Sequence, residues 1–391
     1  KAENKREPGA LAKLGMARGG PRVAFRRGTI RMWAMKRRRI LMGLCATAFA
    51  LGLCFAGLEI ATRVWYYVNI RNANRAFSAL VIDDQLGWRP LPGFYRKGAR
   101  TDAAGTQYPV EMRVDAQGFR RYRSDTPRGR LFVIGDSFTW AVDAGDADTY
   151  YAHLHRRLNL DVDAFGCGGY GTLQAAMVLE EHLDAIQPTA VLLQLCRNDF
   201  VNNRYDLEVR SIQNNNSMRR PYLGDDGEIV YAFPCGFPRN APALRNFANR
   251  HSKFLYFIFS RIDRRLAGAV DSIEDRFARG EPDAVALYEK SFAVTTRILK
   301  RIRARVPADV PVLAFAVDDT GPFDAIFPAL CAETGIRWLD DVAQAIARAE
   351  ESGVVVRAAD HSHWNPRGHA LAADILAPAL AAQLKPRAPH N

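Results

Sequence analysis

The sequence predicts an α/β fold, a largely parallel sheet covered by helices on both faces. Short, nearly continuous apolar runs at 131–134 (LFVI), 190–196 (AVLLQLC) and 311–317 (PVLAFAV) suit parallel strands buried on both sides. Helix-period segments separate them. At 172–186, Leu173, Ala176, Met177, Leu179, Leu183 and Ile186 fall at helical spacing. Polar and glycine-rich clusters follow the strands, at the carboxyl edge where open α/β sheets expose reactive side chains. Strands alternating with helices in this way imply crossover connections and hence a parallel sheet.

The amino end is set apart by charge. Residues 1–39 carry 13 Lys/Arg against Glu3 and Glu7, whereas the rest of the 391 residues carries 41 basic and 40 acidic residues. The formal net charge of +12 therefore belongs almost wholly to this end. Residues 1–39 show neither helical nor strand period and are read as a basic, disordered cytoplasmic segment. The 19 uncharged residues at 40–58, within a span taken as 40–62, are long enough for one transmembrane helix. Lys36, Arg37, Arg38 and Arg39 directly before it place the amino end in the cytoplasm. The rest then lies on the extracytoplasmic (periplasmic) side of the inner membrane. Basic residues beside an apolar span make the membrane the expected partner, and nucleic acid is not expected. A cleaved signal peptide, with Met35 read as the true first residue, is the alternative. The apolar run is longer than a usual h-region, and its nearest cleavage site, at Ala56, is poor.

Of the six cysteines, Cys45 and Cys54 fall in the span and Cys167, Cys196, Cys235 and Cys331 in the exported part. Their spacings match no zinc pattern. Cys167 and Cys196 are the candidate disulfide pair.

Residues 63–129 read as a β-rich lead-in. Trp65, Tyr66 and Tyr67 suit the membrane interface, Leu86-Gly87-Trp88 and Pro92-Gly93 mark turns, and 110–114 alternates like a strand. One α/β domain is expected over 130–385. Beyond the runs above it contains helices at 149–158, 284–306, 322–334 and 368–384, with weak strands at 161–165 and 336–339. Residues 200–283 break the rhythm. So long a stretch between two core strands is an insertion, expected to face the substrate. Within it, Asn202 and Asn203 are read as solvated loop.

Four clusters sit at the ends of predicted strands: Gly135-Asp136-Ser137, the glycine-rich run at 166–171 (GCGGYG), Asn198-Asp199, and the histidine-rich run at 360–369 (DHSHWNPRGH). Each has an ordinary reading. Asp136, Ser137 and Asn198 suit helix caps. The glycine run fits a dinucleotide fingerprint, but it follows the second strand, and no acidic residue ends a strand about 20 residues on. Asp360, His361, His363 and His369 are metal-ligand types, and His-x-His puts two rings on one face of a strand. Taken together, the clusters offer something more specific. A serine hydroxyl is a weak nucleophile until a base takes its proton. His363 is the candidate base for Ser137, and Asp360, three residues before it, is the candidate acid that orients the imidazole. The Ser137 N–H, a glycine N–H of the second cluster and the Asn198 amide are candidate donors to an oxyanion. That chemistry needs neither metal nor cofactor, and none is expected.

This set resembles the SGNH (GDSL-type) hydrolase superfamily. Its four blocks supply, in the same order, a serine in Gly-Asp-Ser, a glycine, an asparagine in Gly-x-Asn-Asp, and Asp-x-x-His. The resemblance covers roughly residues 130–385. It implies Ser137 as nucleophile, Asp360 and His363 as acid and base, and Ser137, Gly169 and Asn198 as the oxyanion hole. It also implies a three-layer α/β/α sandwich with a five-stranded sheet in the flavodoxin-like order 2-1-3-4-5. Leu86-Gly87-Trp88, Pro92-Gly93 and Gly118-Phe119-Arg120 are similar to segments of membrane-anchored bacterial members. Two positions depart from the pattern. Cys196 stands where the third block has glycine, and Gly168 competes with Gly169 for the oxyanion role. The expected protein is thus a membrane-anchored, extracytoplasmic serine esterase hydrolysing an O-acyl ester, acetyl included, of a small molecule or glycan. An O-acyltransferase acting on a surface polysaccharide uses the same residues, and a non-catalytic glycan-binding relative is the alternative of another class.

Overall fold

The computed structural model of the chain describes residues 22–72, 79–211, 218–234, 244, 247–248, 251–267, 272–318 and 323–384. Residues 1–21 of the basic segment and Cys235 lie outside them. A division after Ala61 separates the chain into two compact units. The apolar span belongs to a long helix, α1 (Arg22–Asn72). Its stretch Met35–Trp65 is long and apolar enough to cross a membrane. Residues 22–39, expected to be disordered, are helical. Lys and Arg are good helix formers and no proline interrupts 22–72, so a helix nucleated in the apolar run propagates outward.

Beyond the end of α1, the second unit continues with two antiparallel hairpins, β1 (Leu80–Asp83) with β2 (Gly87–Pro90) and β3 (Tyr95–Thr101) with β4 (Gln107–Arg113), followed by β5 (Arg120–Tyr122). The alternation then runs β6 (Arg130–Gly135), α2 (Ser137–Trp140), α3 (Tyr150–Leu158), β7 (Asp161–Gly166), α4 (Thr172–Ile186) and β8 (Ala190–Leu195). Helix α5 (Asn198–Asn202) leads into the insertion, which supplies α6 (Tyr205–Glu208), the hairpin β9 (Arg220–Leu223) with β10 (Ile229–Ala232), α7 (Lys253–Ala267) and α8 (Ile273–Ala278). After it come α9 (Pro282–Arg305), β11 (Val312–Ala316), α10 (Ile326–Thr334), β12 (Arg337–Trp338), α11 (Val342–Glu351) and α12 (Pro366–Ala381).

The central sheet runs β12-β11-β8-β6-β7-β5. Counted from β6, its five parallel strands stand in the expected order 2-1-3-4-5. The sheet has one strand more than expected. The lead-in adds β5 antiparallel to β7, with Arg120 opposite Ala164, and three residues are too few to display a period.

Successive side chains of a strand point to opposite faces. Phe132 and Ile134 of β6 therefore join one buried cluster with Leu173 of α4, Ile298 of α9 and Phe327 of α10. Leu131 and Val133 join a second with Leu154 of α3, Ile346 of α11 and Leu376 of α12. These are the three layers. Each such side chain, fully buried, contributes roughly 1.5–3 kcal/mol, so the strand that leads to Ser137 is fixed from both sides.

Cys167 and Cys196 are buried and free, against the expected pairing. They follow β7 and β8, which flank β6. Two strand spacings of about 4.8 Å each exceed the Cα separation a disulfide spans, at most about 6.8 Å.

Candidate active site

The turn after β6 is built around Gln194 of β8. Its Oε1 accepts from the Asp136 N–H (3.0 Å), the Thr139 N–H (3.2 Å) and the Thr139 hydroxyl (3.0 Å). A Cβ at Gly135 would meet that oxygen at 2.4 Å and Thr139 Oγ1 at 2.5 Å, so the first residue of Gly-Asp-Ser has to be glycine. Asp136 does cap the short helix α2, its Oδ1 accepting from the Phe138 N–H at 2.9 Å. Burial pushes its carboxyl above the ordinary range, opposed by that N–H and by the nearby His363. With Asp136 as the cap, Ser137 is left half-buried at the rim.

The last cluster reaches Ser137 from the far end of the chain. His363 Nε2 lies 2.8 Å from Ser137 Oγ, and His363 Nδ1 lies 2.5 Å from Asp360 Oδ2. The other Asp360 oxygen accepts from the Ser362 and His363 N–H groups, both at 3.0 Å, so the carboxylate organises the loop that carries its partner. The lead-in holds this loop through the Ala359 N–H to the Thr101 carbonyl (2.9 Å) and the Ala103 N–H to the Arg357 carbonyl (3.0 Å). Asn365 caps α12, and buried Trp364 packs edge-on against Phe138, whose ring is also 5.0 Å from His363. Phe138 thus grips both ends of the Ser137–His363 contact. Burial alone would lower the pKa of His363, but the hydrogen bond and charge of Asp360 outweigh it and raise it. Burial would likewise raise Asp360, but His363 and the two N–H donors hold it well below the usual carboxylate range.

The second and third clusters close the other side. The Tyr170 N–H returns to the Cys167 carbonyl at 3.2 Å, and Gly169 takes φ +76°, the left-handed conformation that the third residue of a type II turn requires. After β8, the Cys196 N–H donates to Asp199 Oδ2 and the Asp199 N–H to the Cys196 carbonyl, both at 2.8 Å. Cys196 is not in the left-handed region, so the turn that presents Asn198 forms without the glycine that usually stands there. Ser137, Gly168, Gly169, Asn198, Asp360 and His363 all line one cavity of about 1220 Å³.

Asn202 and Asn203, expected in solvated loop, are buried. Asn202 Nδ2 donates to the Gly169 and Tyr170 carbonyls (3.4 and 3.3 Å), and Asn203 Nδ2 donates to the Thr172 and Thr295 hydroxyls (3.1 and 3.0 Å). Asn202 ties the insertion to the glycine turn and Asn203 ties it to α4 and α9, and the insertion also lines the cavity with Met218, Glu274 and Phe277. Of the four metal-ligand types of the last cluster, Asp360 and His363 come together and the two others do not join them. His361 is exposed, and His369 is buried against Tyr150, accepting its N–H at Nδ1 (3.4 Å).

One neighbour has no motif to announce it. Asp143, paired with Arg100 at 3.3 Å, stands within 4.8 Å of the Asp360 and His363 polar atoms. The loop carrying it (AVDAGDAD, 141–148) has several acidic residues of equal appearance, and only the tertiary structure separates Asp143 from the others.

The family model of the GDSL-like lipase/acylhydrolase family matches residues 133–374. The chain belongs to this family. It is a serine ester hydrolase. The GDSL-like match begins inside β6 and ends inside α12, so it takes in all four clusters and leaves out α1 and the lead-in. No curated protein matches the chain. Solved structures that do are more distant. The psychrotrophic esterase EstA of Pseudoalteromonas sp. has 12% identity and a TM-score of 0.35, the match covering 65% of this chain and 98% of that one. A Clostridium thermocellum family 3 carbohydrate esterase gives the same four values: 12%, 0.35, 65% and 98%. A carbohydrate esterase family 2 enzyme with a carbohydrate binding domain, from Corynascus thermopiles (Myceliophthora fergusii), has 15% identity and a TM-score of 0.36, with 72% and 71% covered.

Proposed function

We propose that Ser137 is the nucleophile, His363 the general base and Asp360 the acid that orients it, with the Ser137 N–H, the Gly169 N–H and the Asn198 amide as oxyanion hole. The observation that carries this is the 2.8 Å contact of His363 Nε2 with Ser137 Oγ, made by a ring whose Nδ1 is already held by Asp360. Ser137 Oγ attacks the ester carbonyl while His363 takes its proton. The developing oxyanion is met by the three donors. His363 returns the proton to the leaving alkoxide as the acyl-enzyme forms, and water then repeats the sequence to release the acid.

The substrate is an O-acyl ester, acetyl among the acyl groups, of a small molecule or a glycan. The cavity of about 1220 Å³ supports a large alcohol part, since an acetyl group fills only a small fraction of it. The enzyme is anchored in the inner membrane through α1, with its catalytic unit on the periplasmic side. The apolar stretch Met35–Trp65 and the basic residues that precede 40–58 support that placement.

The test is covalent labelling of the full-length protein by a fluorophosphonate, against Ser137→Ala. Labelling of the wild type alone is expected, and a folded wild type that does not label ends the assignment. Release of free acetate from an acetylated glycan, rather than its transfer to an added one, marks a hydrolase. A carboxyl-terminal reporter active only in the cytoplasm overturns the topology.

A further inference from the structure

The lead-in motif Leu86-Gly87-Trp88 lies outside the family match and outside the catalytic scheme, yet it reaches the active site. Trp88 is fully buried, and its indole Nε1–H donates to the Gly168 carbonyl at 2.9 Å. Gly168 and Gly169 are the two central residues of the glycine turn. The peptide joining them is planar and trans, so its C=O and N–H point in opposite directions. Fixing the Gly168 oxygen on the Trp88 side therefore fixes the Gly169 N–H on the other. Both glycines line the cavity beside Ser137 and Asn198.

The donor is itself well held. The Tyr170 hydroxyl donates to the Trp88 carbonyl at 2.5 Å and its ring meets the indole edge-on. The Arg220 guanidinium stands over the indole, 4.9 Å from its centroid. Gln174 Nε2 donates to the Leu86 carbonyl at 2.7 Å, while its Oε1 accepts from the Gly171 N–H at 3.1 Å. The motif and the glycine turn are thus laced together at three points. An indole offers one donor and no acceptor, so in this buried setting its N–H specifies one orientation of the Gly168 carbonyl.

We propose that Trp88 is a positioning residue of this esterase, its indole N–H holding the Gly168–Gly169 peptide so that the Gly169 N–H faces the oxyanion. The inference rests on Gly169 as an oxyanion donor, as given under Proposed function. It assigns the lead-in a part in transition-state stabilisation, not in packing alone. Oxyanion donors act only when they are aimed before the charge develops. A loosened peptide therefore costs turnover and spares ground-state binding.

The experiment compares the full-length wild type with Trp88→Phe and with a variant carrying 3-benzothienylalanine at position 88. The second keeps the shape of the indole and replaces only its N–H by sulfur, so it supplies the same readouts where Trp88→Phe does not fold. Active sites are counted by fluorophosphonate titration, and kcat and KM are measured per titrated site with p-nitrophenyl acetate. The expected result is a fall in kcat of about 10- to 100-fold with KM within about twofold. The affinity for a trifluoromethyl ketone, which forms a tetrahedral oxyanion on the serine, weakens by the same factor as kcat/KM. Unchanged kcat per titrated site in the isosteric variant overturns the proposal, even where the titrated fraction or the melting temperature falls, because that is the signature of packing alone. A wild type that neither labels nor hydrolyses overturns the catalytic assignment beneath it, and that failure is visible before any variant is made.

Discussion

His363 Nε2 lies 2.8 Å from Ser137 Oγ across 226 residues of chain, with Asp360 on the opposite ring nitrogen. To take the serine proton the imidazole must be neutral. Burial disfavours its charged form, but the Asp360 hydrogen bond and charge win and raise its pKa above the ordinary 6.5. The profile of kcat/KM against pH should therefore fall on the acid side through a midpoint above 6.5. Asp360→Asn removes the charge that raises it, so the limb should move to lower pH while kcat drops about 10⁴-fold. A wild-type midpoint at or below 6.5 would contradict the pairing.

Asn198 lines the same cavity as that pair, and in the proposed mechanism it carries no proton. Its truncation to alanine should reduce kcat by about 10²–10³ with little change in KM. Fluorophosphonate labelling should slow in parallel, because the phosphoryl oxygen occupies the same donors. Equal losses in kcat and in melting temperature would instead make Asn198 a structural element of α5.

Asp143 is a third carboxylate near His363, after Asp360 and Asp136, and its charge also raises the pKa of the imidazole, by less than that of Asp360. Asp143→Asn should shift the acid limb downward by a smaller step than Asp360→Asn and leave most of kcat intact. The two pH profiles, measured side by side, rank the two acids. A larger shift from Asp143→Asn would reassign the orienting role.

How much of this was legible in the sequence depends on how each element is buried. The strands at β6, β8 and β11 were readable because both of their faces are covered, which writes the burial directly as an apolar run. The pairing β5–β7 was not, since its three residues Arg120, Arg121 and Tyr122 owe their place to a neighbour rather than to a pattern. Helix α11 has no counterpart among the expected elements, since two of its four buried residues (Val342, Ala343, Ala345 and Ile346) are alanines and leave a weak apolar period. Within the site, Ser137, Asp360 and His363 carry fixed spacings that a sequence can display. Asp143 has no such spacing, and the Leu86-Gly87-Trp88 motif does not display the bond from Trp88 to Gly168, because both contacts are tertiary.

His369 gives a prediction about acid stability. It is buried against Tyr150 and Trp364, and burial pushes its pKa down to about 3. Unfolded, it returns to the ordinary 6.5. Between those values the unfolded chain holds a proton that the folded one refuses, so this group's contribution is intact above 6.5 and is lost as the pH falls toward 3. His369→Gln retains an acceptor for the Tyr150 N–H and removes the titration. The difference in unfolding free energy between wild type and variant should therefore shift in favour of the variant as the pH drops from 7 to 4. A pH-independent difference would place the acid sensitivity elsewhere.

The ion pair of Glu208 and Arg220 joins the insertion to itself at 2.9 Å with both side chains fully buried. Tyr222 donates to the same carboxylate oxygen at 2.7 Å, and the guanidinium also reaches Gln174 Oε1 at 3.1 Å. Burial pushes Glu208 up to about 7, with Arg220 and Tyr222 working against the rise. A pair this dry contributes little net stability beyond what apolar residues of equal volume would supply, yet removing one partner strands the other. Glu208→Gln should lower the unfolding free energy by about 3–5 kcal/mol, read from urea titration. The double variant Glu208→Gln with Arg220→Met should recover much of that loss, since no charge is left buried alone. Because Arg220 also stands over Trp88, the double variant should still turn over more slowly than wild type even where its stability returns. Recovery of both stability and kcat would confine Arg220 to its ion pair.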